Sequence, residues 1–157
     1  MAVKPIPDGY HTVTPYLIIK DAAKAIDFYK KAFGAEEIMR FPGPDGKIAH
    51  AEVKIGDSRV MLGDECPVMQ ARSPQSLGGT PVGLCLYVKD VDSLSQQAIA
   101  AGVKVLQPVQ DQFYGDRSGT FEDPFGHKWT IATHKEDVSP EEMCKRMEAV
   151  MKKQGIS

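Results

Sequence analysis

"TPYLIIKDAAKAIDFYKKAFG", residues 14–34, changes its hydrophobic period half-way along, and that change decides the fold. "HTVTPYLIIKD" (11–21), apolar and β-branched, reads as a strand, whereas Ala22, Ile26, Tyr29 and Phe33 recur at the spacing of one helix face. Gly34 supplies the helix stop. Beyond it, "AEEIMRF" (35–41) reads as a strand and "PGPDGK" (42–47) as a turn. "IAHAEVKIGDSRVMLGDE" (48–65) reads as two strands joined at Gly56-Asp57. The product is one β-α-β-β-β unit.

The order then starts again. After the Pro, Ser and Gly-rich "CPVMQARSPQSLGGTP" (66–81), "VGLCLYVKD" (82–90) reads as a strand, "VDSLSQQAIAAG" (91–102) as a helix and "VKVLQPVQDQF" (103–113) as a strand. "YGDRSGTFEDPFGHKWTIATH" (114–134) holds the last two strands around a turn at "EDPFG". A shift of 69 positions lays Leu17 to Asp21 on Leu86 to Asp90, and Gly34 falls one residue from Gly102. This predicts an α+β chain built from duplicated βαβββ modules. The expected layout is an N-terminal extension (1–9), a first module (10–66), a linker (67–79), a second module (80–135) and a C-terminal helical tail (136–157). In the tail, Ser139, Pro140 and the acids after them favour a helix start, and Met143, Met147, Val150 and Met151 make one apolar stripe. Docking on its own or a neighbouring subunit is the role expected of that stripe.

Bulk properties narrow the function. With 157 residues, 42% hydrophobic and 25% charged, the chain is long enough for a real core, and its formal charge of −2 offers no basic field for nucleic acid. Cys66, Cys85 and Cys144 are too widely spaced for a CxxC pair and odd in number for a disulfide framework, which fits a reducing cytoplasm. "MAVKPIPDGYHTV" carries no apolar stretch of signal-peptide length and no run reaches a membrane span, so a soluble, unexported protein is expected.

The duplicated module, with "VTPYLIIKDAAKAIDFYKKAFGA" early and "FEDPFGHKW" late, resembles the vicinal oxygen chelate superfamily of glyoxalase I, bleomycin-resistance proteins and extradiol dioxygenases. "KAFGAEE", "HAEVKIGDS" and "FYGDRSGTFEDPFGHKW" look most like its PhnB-like, glyoxalase-related branch. The resemblance implies curved mixed sheets around a shared concave pocket, a homodimer, and, in the metalloenzymes, one ligand from each of four strands. In this chain those four positions hold Thr14, Met61, Gly83 and Thr130. Two hydroxyls, a thioether and a glycine cannot replace imidazoles and carboxylates around a divalent cation, so the usual metal centre is expected to be missing.

Strand alternation then nominates the pocket wall. Thr12, Thr14 and Tyr16 share one face of the first strand, Gly83, Cys85 and Tyr87 one face of the fifth, and His50, Glu52 and Lys54 one face of "HAEVKI". His50 and Glu52 are a candidate acid/base pair or a polar pair at a wet wall. Thr14, Tyr16, Met61, Cys85, Phe113, Tyr114, Arg117 and Thr130 are candidate ligand contacts, with Arg117 either fixing an anionic or carbonyl group or bracing a turn through Asp116. Cys85 reads as a small buried thiol, since no cationic partner is evident to activate it. Trp129 is expected in the helix-facing core with His127 supporting the turn, and His134 on the opposite face. His11, His50 and Glu52 are the residues on which a divalent metal site could have been relocated.

Three functions follow. One is a protein that binds a small organic molecule without a metal cofactor; another is a lyase, isomerase or dioxygenase-type enzyme on a carbonyl or aromatic substrate, using His50 and Glu52 or a relocated metal. An interaction module built on the Met-striped tail is a third.

Overall fold

The computed structural model describes residues 2–156 and carries two four-stranded sheets of identical order. The first half contains β1 (Tyr16–Ile19), α1 (Ala22–Phe33), β2 (Glu36–Pro42), β3 (Ile48–Ile55) and β4 (Ser58–Asp64). Its sheet runs β1-β4-β3-β2, with β1 parallel to β4 and the other pairs antiparallel. The second half contains β5 (Gly83–Tyr87), α3 (Val91–Ala101), β6 (Lys104–Asp111), β7 (Asp116–Glu122) and β8 (Lys128–His134), ordered β5-β8-β7-β6. Between them lie a 3₁₀ turn (Pro67–Met69) and the short α2 (Pro74–Leu77); α4 (Pro140–Lys153) follows the second sheet. This is the expected α+β architecture, and the sheets do not close on each other. One element is shorter than expected: β1 begins only at Tyr16, so Thr12 and Thr14 sit on the segment that approaches the strand. Pro15 has no N–H to give a ladder, and the sheet starts after it.

Each helix begins where carboxylates and hydroxyls meet its free amides. Asp64, at the end of β4, accepts from the backbone N–H groups of Asp21 and Ala22 as well as that of Ile48, tying the α1 N-terminus to two strands. Thr133 does the same for the second helix, accepting from the Val91 N–H and donating to the Val88 carbonyl. Gly34 closes α1 in the left-handed region at φ 67°, where a side chain would be strained.

The core lies on the helix side of both sheets. Leu17, Ile19, Ala51, Val53 and Leu62 of the first sheet and Phe121, Trp129 and Ile131 of the second are all buried there. Phe28, Tyr29 and Phe33 of α1 reach across to Phe125 and Trp129, with Phe33 and Trp129 ring centroids 4.8 Å apart. Complete burial of side chains this large is worth roughly 1.5–3 kcal/mol each, and the ring geometry adds about 0.5–1.5 kcal/mol per pair. Asp123 completes the junction: its carboxylate accepts from the Tyr29 hydroxyl at 2.6 Å, the Trp129 indole N–H at 2.9 Å and the backbone N–H groups of Phe125 and His127. The "EDPFG" turn therefore joins β7 to β8 and also clamps α1 to the second sheet.

Because the helix-bearing faces turn towards each other, the opposite faces of the two sheets point outward. Met61 and Thr130 stand on these separate open faces, and the strands of the two sheets are not hydrogen-bonded to one another.

Candidate functional site

A cavity of about 780 Å³ opens where the two halves meet. Val13, Thr14 and Pro15 form one side, Ser58, Arg59 and Val60 of β4 a second, and Leu84 to Val88 of β5 the third, with Phe33, Leu94 and Trp129 also lining it. β5 is an edge strand, so on that side the cavity lies along unpaired backbone as well as apolar side chains.

Arg59 links this cavity to a polar chain on the open face of the first sheet. The Tyr16 hydroxyl lies 3.0 Å from His50 Nδ1, and His50 Nε2 lies 3.1 Å from Glu52 Oε1. A carboxylate only accepts, so His50 Nε2–H donates to Glu52, and in the neutral imidazole Nδ1 then accepts from Tyr16. Met61 sits in register between Tyr16 and Glu52, and Phe41 faces His50. The second Glu52 oxygen accepts from the Tyr10 hydroxyl and lies 3.9 Å from Arg59. Burial pushes the Glu52 carboxyl up, but the Tyr10 and His50 hydrogen bonds and the nearby His50 and Arg59 charges more than offset it, leaving it below the usual carboxylate range. The imidazole is thereby held in one tautomer between an acid and a hydroxyl, an arrangement able to orient a polar ligand or to relay a proton.

The sequence-nominated residues fall into three groups. His50, Glu52, Tyr16 and Met61 gather on the open face of the first sheet, whereas Thr14 and Cys85 line the cavity. Thr130 belongs to the open face of the second sheet, between Cys85 and Thr120 in register, and Gly83 pairs with Lys128 at the end of β5. Phe113 and Tyr114 lie away from the cavity: the Phe113 carbonyl accepts from Arg146 of α4 and the Tyr114 hydroxyl is 3.4 Å from Ser118. Arg117 points to the helix side, where its guanidinium bonds both Asp92 oxygens of α3 at 3.0 Å and Asp111 at 3.2 Å. The expected bracing pair with Asp116 is not formed, because one residue's change of strand parity separates Arg117 from Asp116 on the open face.

Asp116 belongs to a second polar chain. It accepts from the Tyr87 hydroxyl at 2.7 Å and lies 2.7 Å from His134 Nδ1, while His134 Nε2 is 2.8 Å from Asp137. The hydrogen bond to Asp116, with burial and the Asp116 charge, pushes the Tyr87 phenol up to about 12. Cys85 nearby is exposed rather than the buried thiol expected, because it stands on the open face of an edge strand; partial desolvation and then Asp116 raise it, which disfavours the thiolate a nucleophile needs.

Metal-ligand chemistry does not fit. Thr14, Met61, Gly83 and Thr130 present no imidazole or carboxylate, and among the described residues no group of three His, Cys, Asp or Glu side chains is gathered. The relocated trio of His11, His50 and Glu52 is thus not assembled; His11 lies at the cavity rim, on the exposed segment before Thr14.

Alternation alone could have nominated Arg59, which lies two residues before Met61 on the same strand face. Tyr10 gave no such signal, because it precedes the first strand and meets Glu52 across 42 positions of sequence.

Paired sheets of identical order, each with its own helix and an open outer face, define a duplicated-module α+β protein. The chain belongs to the Glyoxalase/Bleomycin resistance protein/Dioxygenase superfamily, whose model matches residues 10–131. Uncharacterised proteins of Mycobacterium bovis and Mycobacterium tuberculosis are each 46% identical over 146 residues, spanning 91% of this chain and 93% and 84% of theirs. Among solved structures, TioX from a Micromonospora species is 26% identical with a TM-score of 0.63, covering 82% of this chain and 100% of its own. The fosfomycin resistance protein FosX from Listeria monocytogenes, solved with Mn(II) and sulfate, is 22% identical with a TM-score of 0.60, over 87% of this chain and 97% of FosX; that likeness speaks for the fold.

Proposed function

We propose that this protein binds a small organic molecule in the cavity between its halves, without the metal of its metalloenzyme relatives. The observation that carries this reading is a cavity of roughly 780 Å³ lined by residues of both halves; of the four family ligand positions only Thr14 stands on its wall, and none of the four carries an imidazole or carboxylate. Thr14, Arg59 and Cys85 supply polar contacts at its wall. The sequence phrases that resemble the PhnB-like branch support placing the protein there, the outward open faces support a homodimer in which a second chain covers them, and the three free cysteines support a cytoplasmic location.

A lyase or isomerase acting through His50 and Glu52 is the second reading, favoured by the fixed imidazole tautomer. The dioxygenase variant requires a metal that the donor set does not fit.

A thermal-shift screen over aromatic and carbonyl metabolites tests the binding reading. Hits should lose at least about tenfold in affinity in Val13→Trp, an exposed wall substitution that narrows the cavity. Hits that bind the variant unchanged place the ligand elsewhere. Metal analysis of protein purified without chelators separates the two readings: stoichiometric Zn, Ni, Mn or Fe, lost in His50→Ala, revives the metalloenzyme.

A further inference from the structure

The segment from Ala2 to Val13 is exposed almost throughout, with one described residue half-buried: Tyr10. The Tyr10 N–H donates to the Pro7 carbonyl at 3.1 Å, closing a turn with Gly9 at φ 83°. This turn lowers the ring onto the open face of the first sheet. There the Arg59 guanidinium carbon lies 5.0 Å from the ring centroid and the phenol donates to Glu52 Oε2, while Glu52 Oε1 is already engaged by His50. Glycine is favoured at this point because φ 83° strains any side chain, and a Cβ would also crowd Arg59 Nε and Nη2 at 3.0 Å.

A carboxylate acceptor at the hydroxyl and a cation over the ring face are the two groups that recognise a phenol. Both read only chemistry that Tyr10 shares with any hydroxyaromatic molecule. Little else ties the segment down: its other side-chain bond is the Lys4–Asp8 pair, which is solvent-exposed at both ends. Arg59 also lines the cavity, so a ligand seated between the halves lies next to the place that Tyr10 fills.

We infer that the open face of the first sheet is a recognition subsite for a hydroxyaromatic ligand, and that Tyr10 occupies it as an internal stand-in which the ligand displaces. This deepens the cavity-binding reading and rests on it for where the rest of the ligand lies. A tethered side chain competes at a local concentration in the millimolar range, so it lowers the apparent affinity of any free phenol. The phenol stays a neutral donor through the physiological range, because the hydrogen bond to Glu52, burial and the Glu52 charge all raise it.

The test uses p-cresol and toluene as probes, titrated against the wild-type chain, Tyr10→Ala and Tyr10→Ala/Glu52→Gln by NMR. In Tyr10→Ala, p-cresol binds at least about tenfold more tightly than in the wild type, and toluene shows no comparable gain. Adding Glu52→Gln removes most of that gain. Equal gains for the two probes, or none for p-cresol, overturn the subsite. Because Tyr10 sits on an exposed segment, its removal does not threaten the fold, and a Glu52→Gln chain that fails to fold is replaced by Arg59→Gln, for which the same loss is expected. Val13→Trp keeps the two readings apart: it weakens cavity ligands at least about tenfold but leaves p-cresol bound to Tyr10→Ala when both are right. If p-cresol gains in Tyr10→Ala while the metabolite hits ignore Val13→Trp, the subsite stands and the cavity reading falls.

Discussion

Asp123 is the residue on which most of the junction depends, with four donors converging on one buried carboxylate. Asp123→Ala leaves the Tyr29 hydroxyl and Trp129 indole unpaired in the core and should cost roughly 3 kcal/mol, lowering the melting temperature by on the order of 10 °C; calorimetry or a denaturant titration reads it. His134 titrates in the opposite sense to a carboxylate. Its hydrogen bonds to Asp116 and Asp137 raise it above the ordinary histidine value, against the small opposing effect of burial. The stability it contributes is complete below the unfolded value and is lost as pH rises through the folded one. The melting temperature should therefore fall across the range just above the ordinary histidine value, and His134→Gln should flatten that slope. Glu52 works in reverse: lowered in the fold, it stabilises above the unfolded carboxylate value and ceases to do so as pH falls through its folded one. The placement of His50 and Glu52 together was legible from strand alternation, since residues two apart share a face. The destinations of Arg117 and Tyr10 were not, because their partners are 25 and 42 positions away and no local period records such distances.

At the scale of elements, every strand and every helix of eight or more residues was legible, because period changes and glycine stops mark them in order. Two limits show where pattern fails. Pro15 shortens the first strand, and a four-residue helix with Ser73 at its cap forms inside the linker. That cap is fixed by Glu65, which accepts from the Ser73 N–H and hydroxyl and the Ser76 hydroxyl and is held at about 2 by them. The tail helix formed as expected from Ser139, whose side chain accepts from the Glu142 N–H at 3.2 Å. None of its residues is buried, and Met147 is 42% exposed. Deleting residues 139–157 should therefore leave the two sheets folded, with the melting point changed by less than about 4 °C. If the stripe closes the proposed dimer, light scattering of the truncated chain gives half the mass; an unaltered mass removes the tail from the interface.

At the scale of the molecule, duplication was legible in the 69-residue shift, but how the copies would be arranged was not. A repeat specifies two similar units, and only the contacts between them decide whether open faces converge or diverge. Here α1 packs on the far sheet through Phe28, Tyr29 and Phe33, so the helices occupy the middle and both open faces look outward. One chain thus offers two separate polar surfaces, centred on His50 and Glu52 and on Asp116 and His134, with the 780 Å³ cavity where the halves meet.

Trp129 is the only tryptophan of the chain, 1% exposed, and its indole sits in that seam against Asp123 and Phe33. The molecule thereby carries a native fluorophore whose emission colour reports whether its halves remain joined. A red shift at a lower denaturant concentration than the loss of far-ultraviolet dichroism would reveal separation before unravelling; coincident curves would mean that neither half persists without the other.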